Sequence, residues 1–346
     1  MKKGIRISVA IAASGLLGAS LVPANVAADD TITWRVQSHW PSASSSYADS
    51  LEVLKEKLYE RTDGQLELEL YEAGALFGFD EIFSAVSRGV IAMGTISPAY
   101  EMDRLSTAGI AFGLPGGFQE TWEAVHFFKE TGFEDIIREE AAEYGVFYAT
   151  EKVYATEMVL KDRVESLSDF QGLNIRSSGI LQTFLTDAGA AASNIPGAEL
   201  YSALQTGVVD GAHWGAVQGA KSMSLYEVAP YHVRPPLNIG GIDAYVINQA
   251  SLDELPEDVR KTVKDTIEEQ FWRRTNEYIY LEEVALTAAK EEDGVEVIEL
   301  PEEVREAMLA AAEGIWESQA EESDKAAEAV EMMRELLVDL GHLDDA

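Results

Sequence analysis

The sequence predicts a two-lobed α/β protein with a ligand cleft between its lobes and a long helix spanning both. Three observations carry this. Strand and helix patterns alternate in the order that builds parallel sheets, and the pattern occurs once before about residue 146 and again after it. A run of 36 residues, 256–291, has no Pro or Gly after its first position. The length, 346 residues, suits two ordinary domains.

The elements follow in chain order. Lys2, Lys3 and Arg6 precede an apolar run from Ile7 to Val22, which ends at Pro23 and the small residues Ala24–Ala28. That is the order of a secretory signal peptide, and the run is short against the ~20 residues of a membrane span. Cleavage is expected after Ala28 or Ala27, leaving a soluble protein outside the cytoplasm, most simply in a periplasm. Ile32, Trp34 and Val36 share one face of a strand at Thr31–Gln37. After the loop at 38–46, Leu51, Leu54 and Leu58 recur at helical spacing through Tyr47–Arg61. Leu66, Leu68 and Leu70 mark a second strand, Glu81–Arg88 a short helix and Val90–Ile96 a third strand. In parallel sheets ligands sit beyond the carboxyl ends of the strands, which places the loops at 38–46 and 97–101 at a binding face.

The second unit repeats the pattern. Strands are expected at Val146–Tyr154, Glu157–Leu160 and Leu173–Arg176, with a helix at Leu181–Ala188. A helix at Ala198–Gln205 stops at Gly207 and is followed by a strand at Val208–Trp214. Two such lobes in an exported chain predict a cleft between them. The long helix, 256–291, carries Val259, Val263, Ile267, Phe271, Ile279 and Leu286; at ~1.5 Å per residue it reaches ~50 Å, enough to cross both lobes. A strand at Val295–Glu299 and helices at Pro301–Glu317 and Glu321–Leu340 close the chain. The expected organisation is a signal peptide at 1–28, lobe 1 at 29–150 plus about 245–300, lobe 2 at 151–244, the bracing helix at 256–291 and C-terminal helices within 301–346.

Composition removes several functions. Lys and Arg total 26 against 61 Asp and Glu, a net charge of −35, which repels nucleic-acid backbones and anionic membrane surfaces. There is no cysteine, so disulfides, thiolate nucleophiles, Cys-ligated zinc and the lipid acceptor of a lipoprotein are excluded. No HExxH, GxSxG, P-loop or strand-following GxGxxG occurs. The five histidines are scattered without metal-ligand spacing, and His126, in the helical stretch TWEAVHFFKE, is expected to be packed.

Two segments stand out. In LNIRSS, Arg176 ends an apolar strand in a chain short of cations, and a guanidinium matches a carboxylate bidentately; an ion pair within the chain is the alternative. In LYSALQTGVVDGAHWG, a helix, a Gly stop and a short strand deliver His213 and Trp214 to a strand end.

This second run, preceded by DFQGLNIR, resembles the extracytoplasmic solute receptors of TRAP transporters. Further resemblance lies in YEAGALFGFDEIFSAVSRGVIAMG, the FGLP segment at Phe112–Pro115, and VAPYH followed by a strand and the long helix, so it covers nearly all of the mature chain. It implies a periplasmic-binding-protein architecture closing on a ligand, usually an organic acid, and delivery to membrane permease subunits driven by an ion gradient. The family's carboxylate-binding arginine falls on Arg176 and its strand-end residue on Trp214. First-lobe cleft positions fall near Ser44, Ser45, Ser97 and Tyr100. Asn238 and Asp243 fall near the cleft, with Tyr154 and Glu157 as further candidates. Members that bind oxoacids through a metal ion carry an acidic residue where this chain has His213, and a polar ligand where it has Ala155, so no metal or cofactor site is carried over.

The leading expectation is a receptor in which Arg176 anchors a small carboxylate, Trp214 and Tyr100 form apolar walls, and His213, Asn238 and the serines set specificity. The alternatives are a periplasmic hydrolase or lyase acting through His213 on a small carboxylate, and a sensor partner that presents its ligand to a membrane receptor.

Overall fold

The computed structural model describes residues 31–344; the expected signal peptide lies outside them. Nine strands form the sheet: β1 Ile32–Gln37, β2 Leu66–Tyr71, β3 Met93–Ile96, β4 Val146–Leu160, β5 Asn174–Arg176, β6 Ala191–Ser193, β7 Gly211–His213, β8 Tyr231–Asn248 and β9 Glu296–Ile298. Their order is β2-β1-β3-β8-β4-β7-β5-β6, with β9 also on β8. β1 pairs in parallel with β2 and β3, and β5 with β6 and β7. Each group is one lobe of a two-lobed α/β fold.

The lobes share β4 and β8. These long antiparallel strands run side by side from Val146↔Asn248 to Leu160↔Tyr231. One end of the pair carries β3, on Ala244–Ile247, and the other carries β7, on Met158–Leu160. β9 joins β8 at Tyr231–Val233. The register slips between Thr150 and Lys152, Tyr154 and Ala155, and Thr156 and Met158. Such bulges add residues to one strand, bend it and re-aim its side chains. The expectation of two strands at Val146–Tyr154 and Glu157–Leu160 is therefore corrected to one strand, whose period-two alternation is broken by these slips.

Apolar faces explain the layers. Val36, Leu54, Leu58, Leu68 and Ile247 pack with Val259, Val263 and Ile267 of the helix Glu257–Glu292. In the other lobe Val159, Leu204, Val209 and Val217 pack with Ala289 near the helix's far end. The helix is thus one brace across both lobes. Polar contacts repeat the division: Arg61 bonds Thr266 and Glu269, while Glu282 accepts the backbone N–H of Gln218. Helix Glu302–Ala320 rests on Gly179–Asp187, and Asp324–Asp339 rests on Phe133–Glu143. His126 is exposed rather than packed; its neighbours Phe127 and Phe128 take the apolar face, so the histidine lies on the solvent side of that helix.

Phe271, on the buried face of the bracing helix, is fully enclosed, with the Lys129 ammonium 4.1 Å from its ring centre. Phe271→Ala should lower unfolding stability by about 3–5 kcal/mol, the usual cost of emptying a large aromatic site. Urea denaturation measures this; a loss under 1 kcal/mol would mean that the helix is not a structural brace.

Candidate functional site

A cavity of about 530 Å³, counting the space that opens to solvent, lies where the carboxyl ends of β1, β3, β5 and β7 converge on the bulged crossover of β4 and β8. Each parallel strand hands its loop to this cavity, as open α/β sheets do. β1 delivers His39, Trp40 and Ser44–Ser46; β3 delivers Ser97 and Tyr100; β5 delivers Arg176 and Ser178; β7 delivers His213, Trp214 and Gly215. The crossover adds Lys152, Tyr154 and Thr156 from β4 and Asp243 from β8, and the long helix adds Tyr278.

Arg176 is 1% exposed. Its Nε donates to the carbonyl of Ile195 at 3.0 Å, Nη1 to that of His213 at 3.0 Å, and Nη2 to the Tyr100 hydroxyl at 3.4 Å. The Trp214 ring lies 5.1 Å from the guanidinium carbon. A guanidinium has five N–H donors, so two remain uncommitted. Among the described residues no carboxylate lies within ion-pair distance of it. The intrachain ion pair weighed from the sequence is therefore absent there. Gly197 is required for this arrangement: a side chain at that position would overlap the Trp214 ring.

His213 is buried beside this cation. Its Nδ1 is 2.8 Å from the Ser177 hydroxyl and its Nε2 is 3.5 Å from that of Ser178. Burial, and then the Arg176 charge, hold its imidazole well below the usual histidine range, so it stays neutral. A serine against a histidine resembles a nucleophile–base pair, but a base needs an orienting acid and adequate basicity. Among the described residues no carboxylate orients the ring, and burial and the adjacent guanidinium lower its basicity.

A second polar cluster lines the same cavity. Lys152, 1% exposed, donates from Nζ to Asp243 Oδ2 at 2.6 Å and to Glu151 Oε2 at 2.8 Å. Asp243 Oδ1 accepts from the Tyr154 hydroxyl at 3.3 Å and lies 3.3 Å from His39 Nε2. Burial alone would raise the Asp243 pKa; Lys152 and His39 outweigh it and hold the carboxyl well below the usual range. Trp40, Tyr154 and Tyr278 surround the ammonium, with ring centres at 5.0, 4.8 and 5.6 Å. The hydroxyls of Ser97 and Thr156 are buried in the cavity wall without a partner among the described residues.

Of the residues singled out from the sequence, Arg176, Trp214, His213, Tyr100, Ser44, Ser45, Ser97, Tyr154 and Asp243 line this cavity. Asn238 does not: its amide donates to the carbonyls of Phe112 and Gly113 at 2.8 and 2.6 Å, tying β8 to the FGLP segment. Glu157 also lies elsewhere, paired with Arg234 and His232. His39, Trp40, Thr156, Ser178 and Tyr278 were not singled out, nor was Lys152. The available signal for Lys152 was a cation inside the strand run VFYATEKVYATEMVL, whose neighbours are mostly apolar or small.

A two-lobed α/β fold closed over a buried polar cavity is that of an extracytoplasmic solute-binding protein. Residues 37–323 match the family of bacterial extracellular solute-binding proteins, family 7, and the chain belongs to that family. Among its relatives is a monocarboxylate 2-oxoacid-binding periplasmic protein of Nostoc sp., 23% identical over 259 residues, covering 74% of this chain and 71% of the relative. A TRAP transporter solute-binding protein of Bordetella bronchiseptica, with calcium and picolinate in its site, superposes with a TM-score of 0.83 at 22% identity, over 90% of this chain and 93% of that one. A TRAP solute-binding protein of Pseudoalteromonas atlantica, with bound sodium and pyruvate, gives 0.82 at 21% identity, over 90% and 95%.

Neutral His213 makes a pH prediction. Its folded pKa is depressed, so the unfolded chain takes up a proton first on acidification; this contribution to stability, present above the ordinary pKa of about 6.5, is lost as pH falls below it. Against a His213→Asn variant, the parent should lose about 2 kcal/mol more stability between pH 7.5 and pH 5.0. Urea midpoints at the two pH values measure this, and equal losses would show that His213 titrates normally in the fold.

Proposed function

We propose that this chain is a periplasmic receptor that captures a small organic acid, with Arg176 as the carboxylate anchor, and delivers it to the membrane permease of a TRAP transporter. One observation carries the reading: a fully buried guanidinium with free donors and no counter-ion among the described residues, in a chain with 61 acidic residues. An unpaired buried charge is costly, and a bound carboxylate would complete the planar fork. Two formal cations, Arg176 and Lys152, and one anion, Asp243, line the cavity, with Glu151 behind the lysine. With Glu151 counted these charges cancel, so the pull on an anion comes from Arg176, the cation of the two that has no carboxylate partner among the described residues. Export through residues 1–28 and a lobe division after Thr150 and again near Ala244 belong to the same proposal. The acids bound by the relatives from Nostoc, Bordetella and Pseudoalteromonas are consistent with it. Turnover is not expected, because the buried imidazole of His213 is a poor base.

The remaining walls fit a small planar acid. Trp214, Tyr100 and Phe112 offer apolar faces, and Ser97 and Thr156 offer hydroxyls without partners. Such groups discriminate because a wrong ligand leaves them unpaired. β4 and β8 cross between the lobes at their register slips, so closure would hinge there.

Arg176→Ala should weaken acid binding by roughly 30- to several-thousand-fold, the equivalent of ~2–5 kcal/mol for a buried charge partner. Arg176→Lys should recover only part, because an ammonium cannot form the fork. Calorimetric titration of variants that keep a cooperative melt decides the matter; an affinity within threefold of the parent would overturn the anchor.

A further inference from the structure

We propose that the Lys152 ammonium is a built-in second anchor for the ligand, donating to an oxygen beside the bound carboxylate in place of a bridging metal ion. This rests on the carboxylate reading of the cavity and deepens it. The class it selects is an acid with a second acceptor oxygen on the neighbouring carbon, a 2-oxo or 2-hydroxy acid.

The donor count comes first. An ammonium has three N–H bonds, and Lys152 directs two of them to Asp243 and Glu151. The third is left in a cavity whose wall it forms, among the rings of Trp40, Tyr154 and Tyr278. The two carboxylates hold the charge in place, so its position does not depend on the ligand. A donor fixed beforehand loses little freedom on binding, and a hydrogen bond from a charged donor discriminates more than a neutral one.

The same geometry opposes a metal ion at this point. Calcium and sodium take oxygen ligands. Among the described residues Asp243 is the one carboxylate lining the cavity, and both its oxygens are engaged, Oδ2 by Lys152 and Oδ1 by Tyr154 beside His39. A cation on Asp243 would share that carboxylate with the Lys152 ammonium and sit against its charge. No cluster of three or more His, Asp or Glu suited to a metal occurs among the described residues. The residues here do not fit the calcium or sodium seen with the acids of the structural relatives.

The test is calorimetry of the full secreted chain with pyruvate, lactate and propionate, each with and without EDTA and with added calcium. Pyruvate or lactate should bind at least about tenfold tighter than propionate, the factor expected for one charge-assisted hydrogen bond, and EDTA or calcium should change this by less than about twofold. Lys152→Met should bring the three acids within about threefold of one another while propionate still binds through Arg176. Because that variant leaves Glu151 and Asp243 without their cation, Glu151→Gln/Lys152→Met is measured beside it. A ratio preserved in a folded Lys152 variant would overturn the second anchor and leave the carboxylate reading standing. Loss of parent binding in EDTA would do the same. Failure of all three acids to bind the parent would overturn both.

Discussion

Desolvating a guanidinium without a counter-charge is among the least favourable things a fold can do, and Arg176 is held in that state. What holds it is neutral: two backbone carbonyls at the ends of β7 and of the segment after β6, a tyrosine hydroxyl and the Trp214 face. These orient the fork without neutralising it. The constraint spreads outward. Gly197 has no side chain, which lets Trp214 lie where it does, and His213 is kept neutral first by its burial and then by the neighbouring Arg176 charge. The chain provides Arg176 with no anion among the described residues, and the proposed function assigns that place to the ligand's carboxylate.

The second cluster obeys the opposite rule. Lys152 is buried with more negative charge than it carries, between Glu151 and Asp243, and it is placed by the crossover where β4 slips register against β8. Alternation along β4 sets Lys152, Tyr154 and Thr156 on one face, and that face lines the cavity, while the slips beside them change which β8 residues lie opposite. The segment that joins the lobes therefore also lines the cavity, and on the proposed function a lobe movement would be coupled to the ligand there.

The fold was legible because its signals are local and repeated: alternating leucines in β2, helical spacing before it, Gly207 after a short helix, and a 36-residue helix without a breaker. Arg176, His213 and Trp214 were legible because short parallel strands end at the binding face. Two things were hidden. β8 passes through Pro235, Pro236, Gly240 and Gly241, so no alternation reports which way Asn238 points, and its amide serves the FGLP backbone instead. Lys152 was hidden because a lysine in a strand ordinarily marks a solvent face; its burial depends on β4 lying at the centre of the sheet with the long helix across it, a long-range fact absent from the local pattern.

A crystal structure of the protein with a bound acid, at a resolution that separates metal from water, tests the central claim most directly. The account predicts the ligand carboxylate within about 3 Å of the free Arg176 nitrogens, a hydrogen-bonding distance, with its second oxygen on Lys152 Nζ and no metal between them. A ligand whose carboxylate avoids Arg176, or reaches the protein through a metal ion on Asp243, would contradict it.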